Sequence, residues 1–430
     1  MVKKVPFPIN TDTSCLLKWN WSAIRIPEGT TNSCHRNWRV PFEPEEFDNF
    51  HNLPYKIAHR ESMLRGEWPE SPNHLGCGYC KNIEDSGGRS DRQFMNTTQF
   101  DQTPPELIED PTATHVTPKV LEIFITNKCN MACTYCNRSC SSKIDAESKK
   151  FDKDVDLGEF FGKNFTVHQI EKQRRYIDAS LKWLRQHGHN LRRFHILGGE
   201  PFYQSEMEEY LRVLEETNNP EMILNVVSNM NVKPYIFKKG IDRIEELVIS
   251  GKIERFDLTA SIDCWGPAQE YVRTGFNCDV TEENMRYALS KPITVHINST
   301  HSLMSLDSYC DLLDKKCKLE DEFGKNIAMF GMTVSGDHIV PIMFGGDFFA
   351  ETIAEIREKH PMRHWDDEQA FTSVGGILKS IEKVAEPNME MIKKFLRVYN
   401  ELDRRRGTDW KSTFPRIRAE AERYFPTLEV

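Results

Sequence analysis

From about residue 113 onward, short apolar runs rich in β-branched residues alternate with amphipathic stretches. Runs over Val120–Thr126, Arg193–Leu197, Ile223–Ser228, Phe256–Ile262, Ile293–Thr300 and Ile327–Val334 predict strands. Between them the spacing predicts helices over Val167–Gln186, Ser205–Glu216, Ile241–Ser250, Glu282–Ser290 and Leu306–Leu319. Strands and helices in strict alternation build a parallel sheet, so the expected fold is α/β, a partial (βα)6 TIM-like barrel. The polar stretch between Cys136 and Val167 is too long for an ordinary connection and reads as an insertion covering the site.

The flanks differ. Residues 1–112 are loop-rich, with many Pro, Gly, Asn and Trp, and a connector runs from Asp101 to Thr112. Residues 346–430 read as helical. There Ile392, Phe395, Leu396, Tyr399 and Leu402 form a 3.6-residue stripe, and Gly407 offers a stop. Arg404, Arg405 and Arg406 are expected to face solvent and complement the helix dipole. The expected domains are therefore 1–112, 113–345 and 346–430.

Composition narrows the class. A net charge of −9 with 28% charged residues argues against broad nucleic-acid or anionic-membrane binding. The amino terminus lacks the apolar core of a signal peptide, and no stretch approaches the ~20 apolar residues of a membrane span. Twelve cysteines without an export signal read as reduced thiols open to metals, in a cytoplasmic protein.

Three of them stand as Cys129-Asn-Met-Ala-Cys133-Thr-Tyr-Cys136, just after the first strand. A structural zinc site needs four closed ligands, and most cubane iron–sulfur clusters are held by four cysteines. Three thiolates on one loop leave one iron open to a small molecule. The C-x3-C-x-aromatic-C spacing after a strand resembles the signature of the radical S-adenosylmethionine (SAM) superfamily, in which SAM chelates that open iron. The resemblance implies a SAM-binding [4Fe–4S] cluster on Cys129, Cys133 and Cys136, with Tyr135 packing by the adenine. Gly198-Gly199-Glu200-Pro201 matches the motif that contacts the SAM amino group; read alone, it is a strand-to-helix turn with close backbone approach.

Alternation along Phe256–Asp263 places Asp257, Thr259, Ser261 and Asp263 on one face, pointing into the barrel. Ser261, with Arg273 twelve residues on, looks like the serine and arginine that contact SAM, Arg273 through its carboxylate. Asn229 is placed for the ribose hydroxyls. His195, His296 and Asn298 line a substrate pocket or serve as core polar groups. No acid or base catalyst is singled out.

Cys15, Cys34 and the pair Cys77-Gly-Tyr-Cys80 form a second set. The Cys15–Cys34 piece resembles the strand-turn-strand hairpin that begins a SPASM or twitch auxiliary-cluster domain, and the Cys77/Cys80 pair its completion, placed here before the core instead of after it. That implies a second [4Fe–4S] cluster, with zinc as the alternative for a four-cysteine site. Cys140, Cys264, Cys278, Cys310 and Cys317 show no ligand pattern.

The implied activity is reductive cleavage of SAM to a 5′-deoxyadenosyl radical that takes a substrate hydrogen. Four closed cysteine positions favour electron transfer at the auxiliary cluster and a net oxidation. A flavodoxin- or ferredoxin-like donor would supply the electron. The substrate is a small metabolite or a peptide side chain, and the lack of a winged-helix-like docking domain leans to the metabolite. The rival class is a non-catalytic zinc or iron–sulfur interaction module, against which the SAM-binding motifs argue.

Overall fold

The computed structural model describes residues 8–9, 11–36, 38–70, 76–98, 102–162, 167–334, 336–360, 374–384 and 386–429. The start of the expected connector at Asp101, and 361–373 of the expected helical extension, lie outside them. The strands among the described residues are β1 (Trp21–Arg25), β2 (Thr30–Asn32), β3 (Val40–Pro41), β4 (Val120–Phe124), β5 (Ala132–Cys133), β6 (Arg193–Leu197), β7 (Ile223–Ser228), β8 (Arg255–Ser261), β9 (Arg273–Thr274), β10 (Thr294–His301) and β11 (Ala328–Thr333). Six of these fall on the runs read from the sequence. The fold is α/β with a mostly parallel central sheet, consistent with a partial barrel.

The chain forms two compact units. The first comprises Met1–Thr126, Thr166–Val226 and Asp242–Asp257. In it β4 and β6 run parallel with Val120 opposite Arg193, and Arg193 is in turn opposite Ile223 of β7. Between Cys15 and Cys34, where the auxiliary-domain resemblance implies a strand-turn-strand hairpin, β1 runs parallel to β4 from Trp21 opposite Val120 to Arg25 opposite Phe124. Its first four residues are all buried, so it shows none of the alternation that marks a one-sided strand. A turn through Gly29, in the left-handed region at φ 61°, returns the chain into antiparallel β2.

Loop carbonyls in this region are satisfied by one buried cation. Arg60 donates through Nε to Lys18 O at 2.7 Å, through Nη1 to Thr114 O at 2.6 Å, and through Nη2 to His51 O at 2.9 Å. A buried carbonyl without a partner would cost about 1–3 kcal/mol, so the guanidinium fork substitutes for regular structure. The helix Val167–His187 seals the same unit, with Trp183 packed edge-on to Phe50 at 5.1 Å.

The second unit comprises Asn127–Phe165, Val227–Ile241 and Leu258–Val430. There β10 and β11 pair in parallel from His296 opposite Ala328 to His301 opposite Thr333. The helix Met389–Arg406 buries the expected stripe and stops at Gly407, φ 66°. The three arginines at its end divide, and this corrects the solvent-facing expectation. Arg404 is half exposed, but the side chains of Arg405 and Arg406 are 1% and 7% exposed. Arg405 reaches Asp152 at 3.0 Å and Arg406 reaches Glu147 at 2.9 Å, both in the insertion. The insertion is itself partly helical, over Ser142–Phe151 and Gly158–Phe161, and its carboxylates draw the arginines in.

Buried histidines give the fold an acid limit. Burial holds His195 and His301 down to about 4. In the unfolded chain each takes up a proton near 6.5. The unfolded state therefore binds more protons below that pH, and stability should fall as pH drops from about 6.5 towards 4. The fully buried His301 alone should contribute on the order of 3 kcal/mol to that loss. Urea unfolding at pH 7 and pH 4.5 measures it, and a His301→Asn variant should show a flatter dependence than the parent.

Candidate metal and cofactor site

The cysteine loop is fastened at several points within the second unit. Cys129 N donates to Ser142 Oγ at 3.1 Å, Ser141 Oγ donates to Met131 O at 2.7 Å, and Asn127 Nδ2 donates to Arg138 O at 3.0 Å. β5 then pairs antiparallel with β9, which sets Cys133 directly across from Arg273. Gly275, at φ 98°, makes the approach possible, because a Cβ there would lie 3.3 Å from Asn130 O. Cys129 and Cys133 are buried with Met131 and Phe276, and Tyr135 and Cys136 pack against them.

Burial pushes the Cys133 thiol up, opposed by the Arg273 charge. Cys136 is driven well above the thiol range by burial and then by Cys140, Cys133 and Cys129. Cys140, which showed no pattern in the sequence, therefore stands among the loop thiols. Asn229 Nδ2 lies 2.8 Å from Asn130 Oδ1 and 3.9 Å from Cys129 Sγ, so it meets the loop itself.

Arg273 carries a partner that the sequence did not reveal. Its Nε and Nη2 donate to Asp263 Oδ2 and Oδ1, each at 2.8 Å. Asp263 is fully buried and also accepts from Tyr135 Oη at 2.5 Å and from Thr300 N at 2.8 Å. Burial works against the Arg273 charge, but Asp263, Tyr135 and Cys133 outweigh it and hold the guanidinium charged. Ser261 ends β8 two residues before that aspartate and is partly buried.

Beside the loop lies a cavity of about 560 Å³, lined by Tyr135, Glu159, Phe160, Val334, Asp337 and His338 among others. His338 is 4% exposed. Burial holds it down to about 4, so it is a neutral imidazole. No sequence signal marked it, because it follows the last strand in an irregular turn. Partly buried His296 lies on β10, its ring 5.4 Å from that of Phe330. Asn298 of the same strand pairs in register with Phe330.

In the first unit the Gly198-Gly199-Glu200 turn has both glycines at positive φ, 91° and 50°. A Cβ on Gly198 would sit 3.0 Å from Phe124 Cα and 3.1 Å from Ile125 N, so only glycine fits against β4. Glu200 is fully buried and its Oε1 accepts from Phe202 N at 3.2 Å. His195, one strand residue from Ile196, is a partly buried core group.

Cys15, Cys34, Cys77 and Cys80 are all buried in the first unit, and three of them share one core cluster with Trp19 and Trp21. Burial raises Cys15, with Cys34, Cys77 and Cys80 adding to it. Burial likewise lifts Cys34 to about 11, against the pull of Lys18. Burial works against the Lys18 charge, but Cys77, Cys34 and Cys15 outweigh it and raise the ammonium above the lysine value. Lys56, equally buried, has Arg60 and Lys18 for neighbours and is held well below it.

Among the described residues no three His, Cys, Asp or Glu side chains are drawn tightly enough to hold an ion as placed. The thiols are nonetheless close enough to act on one another. On the loop the sulfurs stand beside the Arg273 guanidinium and the Asn229 amide, groups that suit an anionic iron–sulfur centre.

The sequence profile of the Radical SAM superfamily matches residues 123–263, so this stretch is a radical SAM domain. Among solved structures, Streptococcus suis SuiB bound to precursor peptide SuiA is 13% identical with a TM-score of 0.38, covering 75% of this chain and 65% of that one. SuiB bound to S-adenosylmethionine is 12% identical with a TM-score of 0.36, covering 75% and 64%. The chain thus spans less than two thirds of the length of the structures it matches. Comparison with curated proteins gives no match. Among the described residues no helix is long and apolar enough to cross a membrane.

Proposed function

We propose that this chain is a radical SAM enzyme that removes a hydrogen from its substrate and completes a net oxidation with an auxiliary cluster. The observation that carries the reading is the Cys129–Cys136 loop, inside the matched domain and clamped opposite Arg273. When bound, the loop cluster and SAM supply reductive S–C5′ cleavage and a 5′-deoxyadenosyl radical that takes the hydrogen.

The chain's own residues orient and enclose. Arg273, fixed by Asp263, offers a charged fork to the SAM carboxylate, and Glu200 accepts from its amino group. Ser261 and Asn229 add polar contacts, and Tyr135 packs by the adenine. The cavity beside Tyr135 has room for a small metabolite or one peptide side chain. Cys15, Cys34, Cys77 and Cys80 hold the auxiliary centre, and a flavodoxin- or ferredoxin-like protein delivers the electron.

Dithionite-reduced, anaerobically reconstituted protein should convert SAM to 5′-deoxyadenosine and methionine, slowly even without substrate. Glu200→Ala should weaken SAM binding about tenfold or more and leave the iron content unchanged, as expected for loss of a charged hydrogen bond. Iron-replete protein that forms no 5′-deoxyadenosine would overturn the proposal.

A further inference from the structure

The helix that follows the cysteine loop, Ser142–Phe151, sorts its charges by sign. Its exposed residues are Lys143, Ala146, Lys149 and Lys150, and Lys153 is exposed just beyond its end. With about 3.6 residues per turn, these fall on one face. The acids of the same stretch are turned inward and answered there. Asp145 accepts from Lys149 at 2.5 Å, Glu147 from Arg406 at 2.9 Å, and Asp152 from Arg405 at 3.0 Å and from Arg138. Among the described residues no Asp or Glu pairs with Lys143, Lys150 or Lys153. A solvated helix face ordinarily mixes both signs; this one is wholly positive on a chain of net charge −9. The face is also braced to the cysteine loop. Ser142 N donates to Asn127 O at 2.7 Å and Ser142 Oγ accepts from Cys129 N at 3.1 Å, so Lys143 stands one residue from the loop's anchor. Cys136 and Cys140 are partly exposed, which brings the loop to the surface. At the far end half-exposed Arg404 lies 5.7 Å from the ring of Phe151.

We propose that the lysine face of this helix is the docking surface for an acidic one-electron carrier protein, which hands its electron to the adjacent loop. The inference rests on the reading of Cys129, Cys133 and Cys136 as the place where the electron enters. The step oxidises the reduced carrier by one electron and reduces the loop centre by one, with no bond made or broken. Complementary charge raises the rate of encounter and is weakened by salt, as suits a partner that must leave after each transfer. An extended polyanion fits less well. The face runs for only about 15 Å, the length of ten helical residues, before exposed Asp154 and Asp156 bound it.

The test uses the full chain, anaerobically reconstituted, with two probes: an acidic flavodoxin and an acidic [2Fe–2S] ferredoxin, each kept reduced by its reductase and NADPH. Formation of 5′-deoxyadenosine is compared in the parent, in Lys143→Glu with Lys150→Glu, and in Lys233→Glu with Lys239→Glu, two exposed lysines elsewhere in the second unit. The first pair should lose about tenfold or more of the carrier-driven rate at low salt, and the same factor in carrier affinity by calorimetry. It should keep the parent rate with dithionite, which needs no docking surface. The second pair makes the same change in net charge and should match the parent. An unchanged carrier-driven rate and affinity in the first pair overturns the proposal. So does an equal loss in the second pair, an equal loss with dithionite, or failure of both carriers to bind the parent. A mixed-sequence oligonucleotide that binds the parent more tightly than either carrier at the same salt overturns it in favour of a nucleic-acid surface. A parent that cleaves no SAM with dithionite fails the radical SAM reading itself and the docking role with it, and is told apart because it shows before any lysine is changed.

Discussion

Replacing Cys129, Cys133 and Cys136 together with Ala is expected to abolish conversion of SAM to 5′-deoxyadenosine. It should also halve the iron, from about eight to about four per chain, counting four for each cubane. On this loop thiols meet an amide donor, Asn229, and a guanidinium, Arg273. Cys140→Ala provides the control. Its thiol acts on Cys136, yet it lies outside the three-ligand spacing, so iron and cleavage should both survive its loss. Retention of full iron in the triple variant, or loss of cleavage in Cys140→Ala, would reassign the ligand set.

Arg273→Ala should cost about 3–5 kcal/mol of folding stability, the penalty for leaving a buried charge uncompensated. The residue stranded is Asp263, which has no exposed surface and would keep only Tyr135 Oη and Thr300 N as donors. Removing Asp263 as well should restore part of the loss, because the double variant no longer buries a lone carboxylate. Urea unfolding of the two single variants and the double variant gives the coupling directly. A single Arg273→Ala variant as stable as the parent would show that the pair does not support the fold. SAM binding should fall in every variant lacking Arg273, and iron content measured beside it separates lost binding from lost folding.

Much of the barrel is legible in the sequence because its strands are short, apolar and bounded by helices. What escaped has definite causes. β1 carries no alternation because it is buried on both faces, so only the hairpin implied by the Cys15–Cys34 resemblance marks it. The helix read from Ile241 begins at Pro234, since Gly240 looks like a break but is tolerated inside a packed helix at roughly 1 kcal/mol. The cysteines and the glycine turn are visible as spacings. Asp263 was visible as an inward polar residue, but its partnership with Arg273 depends on the short helix Pro267–Val272, whose Gln269 accepts from Asp263 N, folding the chain back to β9. His338 and the burial of Arg405 depend on packing by segments far away in sequence, which no local pattern encodes.

The buried arginines at the end of the helix Met389–Arg406 tie distant stretches of the second unit into one lever. Arg406 holds Glu147 with one edge of its guanidinium and Thr274, the neighbour of Arg273, with another. Arg405 holds Asp152 and the Val155 carbonyl, and Arg138 grips the same Asp152. A lesion some 270 residues downstream of the cysteine loop, by deletion or by charge reversal at Arg406, would thus slacken the loop's own anchorage. Screened for activity, it would pass for a cofactor-binding defect, and a map of damaging substitutions would show a second hot region wholly remote from the cysteines in the chain.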